Sequence, residues 1–195
     1  TEFRQAQKGL TDSSAYYKLE LFTGYCLYLR GYQDSAVHLN QKVLDFCKQH
    51  PGTDALEATG WNHRYALLQG INQKDSSIAC LHHAYNAIYR SDDHKELESI
   101  CINLADAYCQ TGDLPQAAQY YRKALWVVDS LQSKRVKFSI YMGLAQTYAN
   151  LHNFPLAHRY FDLAEQNPEQ RLEYEKYHFA NTKGNCLYFE EKYAE

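Results

Sequence analysis

The sequence predicts an all-α fold, a solenoid of stacked antiparallel helix pairs. A triplet of small, aromatic and small residues occurs twice, forty positions apart, as Ala117–Tyr121–Ala124 and Ala157–Phe161–Ala164. No stretch of the sequence shows the sustained two-residue alternation that indicates strands, so we expect essentially no sheet. Self-similarity at intervals of about 20–50 residues is typical of solenoid proteins. Such proteins present surfaces to partners and rarely perform chemistry.

A fixed offset links the two helices of each predicted pair. A smaller residue precedes an alanine by twelve positions in three places: Gly24/Ala36, Ala105/Ala117 and Ala145/Ala157. Leu67 and Ala79 fit the same offset with a larger first residue, and they set the predicted register of the second pair. Successive alanines are 43, 38 and 40 residues apart. A constant offset with a variable interval indicates similar hairpins joined by connections of different length.

The repeat pattern divides the chain into elements of one array over residues 1–195. We predict four helix pairs, at residues 13–50, 54–90, 93–130 and 133–166. Residues 1–10 resemble the tail of a preceding repeat, since Phe3-Arg4-Gln5-Ala6 is similar to Tyr121-Arg122-Lys123-Ala124. Residues 168–195 are predicted to be the first helix of a fifth repeat. The chain is therefore expected to be part of a longer array.

Turn and capping residues mark the predicted helix ends. Gly112-Asp113 and His152-Asn153 are predicted turns, with Asp113 and Asn153 as N-caps and a proline inside each following first turn. His50-Pro51-Gly52 is predicted to end a helix. Two further helix starts are predicted: a reciprocal cap between Asp93 and Glu96, and a start at Asn167-Pro168-Glu169.

The spacing of the third and fourth pairs resembles the tetratricopeptide repeat, whose pattern places Leu, a small residue, Tyr, Ala, an aromatic residue and Ala at fixed positions. The matching residues are Cys101, Leu104, Ala105, Tyr108, Ala117, Tyr121 and Ala124, and then Tyr141, Leu144, Ala145, Tyr148, Ala157, Phe161 and Ala164. The resemblance implies a right-handed superhelix whose concave groove is lined by the first helix of each pair. The interval near 40, against about 34 in the family, implies longer helices.

The resemblance also implies which residues face the groove, by their distance from the small residue of each first helix. The candidate ligand-binding residues are Tyr25, Tyr28, Arg64, Asp106, Gln110, Gln146, Asn150, Asn181 and Asn185. The family's carboxylate clamp is absent, because Arg64 is the one cation at the clamp positions. Tyr25 and Tyr28 fit a core position as well as a groove position. The amides of the last two first helices would converge in a groove, although solvated helix faces would look the same.

Composition and motifs argue against several classes of function. The formal net charge is −3, and the basic residues are scattered, so nucleic acid is not expected as a partner. No run of about 18 apolar residues predicts a membrane span. The six cysteines form no Cys-x-x-Cys pair, which favours a reducing cytoplasm over a disulfide framework. Neither His82-His83 nor His152 with His158 has the i, i+4 spacing of helical metal ligands, so neither metal nor cofactor is predicted.

These observations predict a protein- or peptide-binding scaffold that uses the groove lined by first helices, with no catalytic residues in this segment. The alternative is a sensory or regulatory segment of a bacterial signalling protein, such as a diguanylate cyclase, histidine kinase or transcription regulator. In that case the array would bind an effector or its own output domain. Apolar residues at Leu187, Tyr188 and Phe189 further predict end-to-end homodimers of the chain.

Overall fold

The computed structural model describes residues 13–69, 74–130, 137–166 and 173–194, and these residues form nine α-helices and no strand. The helices are α1 Ser13–Leu29, α2 Gln33–Gln49, α3 Asp54–Gln69, α4 Lys74–Arg90, α5 Leu97–Thr111, α6 Leu114–Ser130, α7 Lys137–Asn150, α8 Phe154–Glu165 and α9 Glu173–Ala194. The predicted all-α class of paired helices is confirmed. The expectations for residues 1–10 and for Asn167-Pro168-Glu169 lie outside the described residues.

The chain divides into two compact units, residues 1–100 and residues 101–195, called unit 1 and unit 2 here. In unit 1, α1 packs on α2, α2 on α3, and α3 on α4. Its core includes Leu21 from α1, Val43 from α2 and Leu56 from α3, all buried. Ala36 is fully buried, and a Cβ added at Gly24 would contact the backbone of Ala36. These small residues let α1 and α2 approach closely.

Unit 2 is built on the two triplets that predicted the fold. Ala157, Phe161 and Ala164 of α8 are fully buried and pack with Phe138 and Met142 of α7. Helix α9 packs on both α7 and α8. Paired aromatic rings fill the remaining space within each pair: Tyr108 stacks on Tyr120 and Tyr148 on Tyr160, with ring centroids 5.7 and 5.6 Å apart.

The three described turns within helix pairs share one backbone conformation. Gly31, Gly112 and His152 have φ values of 85°, 82° and 56°, the left-handed conformation that ends many helices. After the last two turns, Asp113 Oδ1 accepts a hydrogen bond from Gln116 N at 3.2 Å and Asn153 Oδ1 accepts one from Leu156 N at 3.3 Å. Both predicted N-caps are therefore confirmed.

The predicted cap between Asp93 and Glu96 is wrong. Helix α5 begins at Leu97. Asp93 Oδ1 instead accepts a hydrogen bond from Lys95 N at 3.3 Å, and Glu96 Oε2 accepts one from the hydroxyl of Ser99 at 3.2 Å. Each carboxylate therefore accepts from a different donor than the one the sequence pattern assigned to it.

The predicted register of the second pair is also wrong. Ala79, the predicted buried alanine, is exposed. The buried triplet of α4 is Ser77, Leu81 and Ala84, all at 0% exposure and with the same spacings of four and three. The buried triplet of α4 therefore does not obey the twelve-residue offset from Leu67, and the offset fails to locate the second helix of this pair.

Glycine contacts give the register of α3, the first helix of the second pair. An ideal Cβ on Gly143 of α7 would overlap the ring of Tyr121, and one on Gly60 of α3 would lie 2.8 Å from Leu44 Cδ2. Gly143 stands two residues before Ala145, so Gly60 identifies Asn62 as the small-residue position of α3. Asn62 is buried.

Candidate functional site

Unit 2 carries a pocket of about 370 Å³ on the face formed by its first helices. The residues lining it come from α5, α6, α7 and α9: Asp106, Tyr121, Phe138, Ser139, Met142, Gly143, Gln146 and His178. Cavities that bind small ligands measure roughly 300–1,000 Å³, so this pocket can take one or two side chains of a partner.

Tyr121 and Asp106 form the polar floor of the pocket. The Tyr121 hydroxyl donates a short hydrogen bond to Asp106 Oδ1, and the ring fills the space that a side chain at position 143 would need. Glycine at position 143 is therefore a requirement of the site, because any Cβ there would displace Tyr121. The Tyr121 hydroxyl, on α6, therefore orients the Asp106 carboxylate of α5.

Burial raises the pKa of Asp106 above its ordinary value, and the hydrogen bond from Tyr121 opposes that shift. Burial also raises the pKa of Tyr121, and the nearby Asp106 charge raises it further. The phenol therefore remains protonated and a donor. Ionisable groups with perturbed pKa values in clefts are candidates for functional residues.

A second polar group extends beneath the pocket. Thr147 Oγ1 donates to the Gly143 carbonyl at 2.6 Å and lies 3.4 Å from Cys109 Sγ. Burial raises the pKa of the Cys109 thiol, whereas its hydrogen bond with Thr147 lowers it. The first bond lies within α7, and the Thr147–Cys109 contact joins α7 to α5.

The walls and the rim of the pocket differ in chemistry. Phe138 and Met142 form apolar walls and are only 7% and 5% exposed. Ser139, Gln146 and His178 are exposed and supply a hydroxyl, an amide and an imidazole around the opening. An apolar pocket with a few convergent polar groups is the usual architecture of a binding site.

Unit 1 fills the corresponding place with rings. Tyr25 follows Gly24 as Asp106 follows Ala105, and His63 follows Asn62 as Gln146 follows Ala145. The Tyr25 and His63 rings lie 5.5 Å apart. The space that they line with Leu21, Gly24, Ala36, Asn40 and Leu67 is only about 10 Å³. It admits no partner side chain.

Hydrogen bonds fix the polar residues around this small cavity. Asn40, which follows Ala36 as Tyr121 follows Ala117, donates from Nδ2 to the Gly60 carbonyl at 2.8 Å. Among the described residues, His63 Nδ1 and Asn40 Oδ1 are buried without a hydrogen-bond partner. Burial lowers the pKa of His63, while the charge of Glu96 and a hydrogen bond with the Leu21 backbone raise it.

The structure brings two of the predicted site residues, Asp106 and Gln146, into one pocket. Tyr25 is 40% exposed and lines the small cavity of unit 1, with the ring of Tyr28 6.5 Å away. The four other amides among the predicted site residues of unit 2 are exposed on α5, α7 and α9 and are not among the described residues that line the pocket: Gln110, Asn150, Asn181 and Asn185.

Arg64 was assigned to the groove from the wrong register. The neighbouring His63, and not Arg64, lines the small cavity of unit 1. Arg64 is half-buried and lies close enough to Cys80 of α4 for its charge to oppose the effect of burial, which raises the pKa of that thiol. Its Nη1 atom is buried without a hydrogen-bond partner among the described residues.

The sequence interpretation missed several lining residues, chiefly Ser139, His178 and Tyr121. Tyr121 matches the aromatic position of the repeat and is buried, but its hydroxyl also reaches Asp106. The sequence does contain one clue to this arrangement. Gly143 lies in the interior of a predicted helix, where glycine is unfavourable, and this indicates a close approach by another element.

Metal-ligating residues and apolar helices are distributed as follows in the described part of the chain. No group of three metal-ligating side chains occurs among the described residues. His158 Nε2 lies 2.6 Å from Glu190 Oε2, a pairing between α8 and α9. No helix in the described ranges is long and apolar enough to cross a membrane.

Comparison with known proteins finds one match to a repeat family and several similar solved structures. Residues 99–125, from α5 into α6, match the model of the tetratricopeptide repeat. BtubC (BKLC) from P. vanneervenii has a similar structure, with a TM-score of 0.72 and 16% identity over 88% of this chain and 75% of that chain. TTC0263, a thermophilic TPR protein of Thermus thermophilus, is similar with a TM-score of 0.61 and 14% identity, over 92% of this chain and 86% of that chain. No curated protein sequence matches this chain.

Proposed function

We propose that this tetratricopeptide-repeat protein is an interaction scaffold that binds an extended peptide segment of a partner protein across the first helices of unit 2. The observation that carries the proposal is the 370 Å³ pocket on that face, with a carboxylate at its floor and apolar walls. Repeat folds of this type offer surfaces for binding. The pocket would take an anchoring side chain of the peptide.

The exposed amides of unit 2 support a peptide as the ligand. Gln110 on α5, Asn150 on α7 and Asn181 on α9 are all exposed. An amide side chain can both donate to and accept from a peptide backbone. A segment anchored in the pocket could therefore be held along its length by contacts that do not depend on its sequence, while the pocket supplies specificity.

The proposed compartment rests on the thiols, and the other proposed partners rest on the net charge and on exposed apolar residues. All six cysteines lie within the described ranges and none is in a disulfide, which supports a reducing compartment such as the cytoplasm. The net charge of −3 favours a protein partner over nucleic acid. Leu187, Tyr188 and Phe189 are exposed on α9, so a second copy of the chain remains a predicted partner for that helix.

The test is a selection of random displayed peptides on the whole chain, followed by affinity measurements for the selected peptides. Gln146→Trp would block the pocket opening. Gln119→Trp, the same change at an exposed position of α6, is the matched control. We expect Gln146→Trp to weaken binding at least tenfold, about 1.4 kcal/mol, and Gln119→Trp to leave it unchanged. Equal binding by both variants would place the peptide elsewhere and refute the proposal.

A further inference from the structure

We propose that the pocket of unit 2 recognises an arginine side chain of the partner peptide. The inference rests on the proposed peptide-binding function and specifies its ligand. Among the described lining residues, Asp106 is the acidic one, and the lining contains neither lysine nor arginine. A pocket with a carboxylate at its floor and neither lysine nor arginine in its wall is complementary to a cation.

Asp106 has accepting capacity to spare. Tyr121 uses Oδ1 for its hydrogen bond, whereas a carboxylate offers about four lone-pair sites. Tyr121 also fixes the carboxylate from α6, so a ligand does not have to order it first. Charge-assisted bonds from a guanidinium to such a group are about twice as strong as neutral ones.

The walls favour arginine over lysine. Tyr121 and Phe138 present aromatic rings, and Met142 presents a thioether, around the approach to Asp106. A guanidinium is planar, weakly hydrated and stacks on aromatic faces, whereas an ammonium is compact and strongly hydrated. Entry into the apolar lining therefore carries a larger desolvation penalty for a lysine ammonium than for an arginine guanidinium.

The rim can satisfy the remaining donors of a guanidinium. Gln146 and Ser139 stand at the opening and each carries an oxygen that can accept a hydrogen bond. Five N–H donors of arginine could then be divided between the floor and the rim. His178 also faces the opening, and its neutral imidazole has one acceptor nitrogen.

The burial of Asp106 agrees with this ligand. Burial raises the pKa of Asp106, so the ionised carboxylate is held at a cost in the unliganded protein. A bound cation would remove that cost. A residue placed only for stability would not need a charge there, since an asparagine oxygen could accept the same hydrogen bond from Tyr121.

The experiment uses capped Ala-X-Ala tripeptides, where X is arginine, citrulline, lysine or glutamate, titrated into the whole chain labelled with ¹⁵N. Citrulline has the shape of arginine without its charge. We expect the arginine peptide to shift the Gly143 backbone and Gln146 side-chain signals, and to bind at least tenfold more tightly than the citrulline and lysine peptides. No shift with the arginine peptide, or equal affinity for arginine and citrulline, would overturn the inference; equal affinity for lysine would overturn the assignment to arginine.

The matched variants are Asp106→Asn and Asp162→Asn, the second an exposed aspartate on α8. We expect Asp106→Asn to remove the preference for arginine over citrulline while the melting temperature does not fall, and Asp162→Asn to behave as the unmodified chain. Retention of the preference in Asp106→Asn would overturn the inference. Peptides selected without arginine that still depend on position 146 would leave the proposed function standing and refute this inference alone.

Discussion

Units 1 and 2 place equivalent helix positions around very different spaces. In both, a glycine of a first helix faces a large residue of the preceding second helix: Gly60 faces Leu44, and Gly143 faces Tyr121. In unit 1 the positions after the small residues carry Tyr25 and His63, which leave about 10 Å³. In unit 2 the same positions carry Asp106 and Gln146, and about 370 Å³ remains.

The difference teaches that two side chains per repeat decide whether this face is closed or open. The backbone plan is shared, since both units use the same close approach at a glycine and the same left-handed turn residues. Rings at the two positions close the space in unit 1. Smaller polar groups in unit 2 leave it open and add a charge. An open pocket can therefore arise in a repeat protein without a change of fold.

The largest effect should come from giving unit 2 the side chains of unit 1. The double change Asp106→Tyr with Gln146→His should fill the pocket and reduce the affinity of pocket-dependent peptides roughly a hundredfold, about 2.7 kcal/mol. Isothermal titration calorimetry measures the loss, and circular dichroism checks that the helices remain. Undiminished affinity in a folded double variant would show that the open space is not what binds.

Alanine substitution should reduce the free energy of unfolding more at Gly143 of unit 2 than at Gly60 of unit 1. Gly143→Ala forces a methyl group into the buried Tyr121 ring, and overpacking of this kind costs typically about 1–3 kcal/mol. Gly60→Ala meets the end of the Leu44 side chain at 2.8 Å, which can rotate away. Its cost should fall below about 1 kcal/mol, because alanine also favours the helix by up to about 1 kcal/mol over glycine.

Chemical denaturation compares the two variants. Gly184→Ala serves as the control, because an added Cβ there meets no atom within 4 Å, and it should stabilise the chain slightly. If Gly60→Ala destabilised as much as Gly143→Ala, the Tyr121 contact would not be the tighter of the two.

The two units should also respond to pH in opposite directions at these positions. The folded-state pKa of His63 lies below its ordinary 6.5, so the unfolded chain binds the proton first, and stability falls as pH decreases below about 6.5. The folded-state pKa of Asp106 lies above its ordinary 3.8, so the folded chain holds the proton longer, and stability falls as pH rises above about 3.8.

Urea denaturation of the variants against the unmodified chain isolates each group. His63→Gln should reduce the loss of stability between about pH 6.5 and pH 5, and Asp106→Asn should raise stability at pH 7 but not at pH 3. Identical pH profiles for both variants and the unmodified chain would contradict the assigned environments.

The sequence predicted the third and fourth pairs well because their connections are short. Asp113 and Asn153 cap their helices as the pattern indicates, and Ala117 and Ala157 are fully buried. The second pair failed because the offset from Asn62 to Ser77 is fifteen residues rather than twelve. Its small, large and small residues are Ser, Leu and Ala, so no aromatic residue marks the register.

The site was predictable only in part. Asp106 and Gln146 follow from the family's groove positions, but the pocket depends on where the Tyr121 ring rests against Gly143. That contact joins positions 22 residues apart and has no local pattern. His178 reaches the opening through the packing of α9 on α7, which spacing alone does not encode.

The central claim is that the open face of unit 2, and not its closed counterpart in unit 1, receives the partner peptide. The direct measurement is a ¹⁵N chemical-shift map of the whole chain with a selected peptide at saturation. We predict the largest shifts at Gly143, Gln146 and Ser139, with Gly60 and His63 unmoved. Shifts centred on Gly60, His63 and Tyr25 would contradict the account.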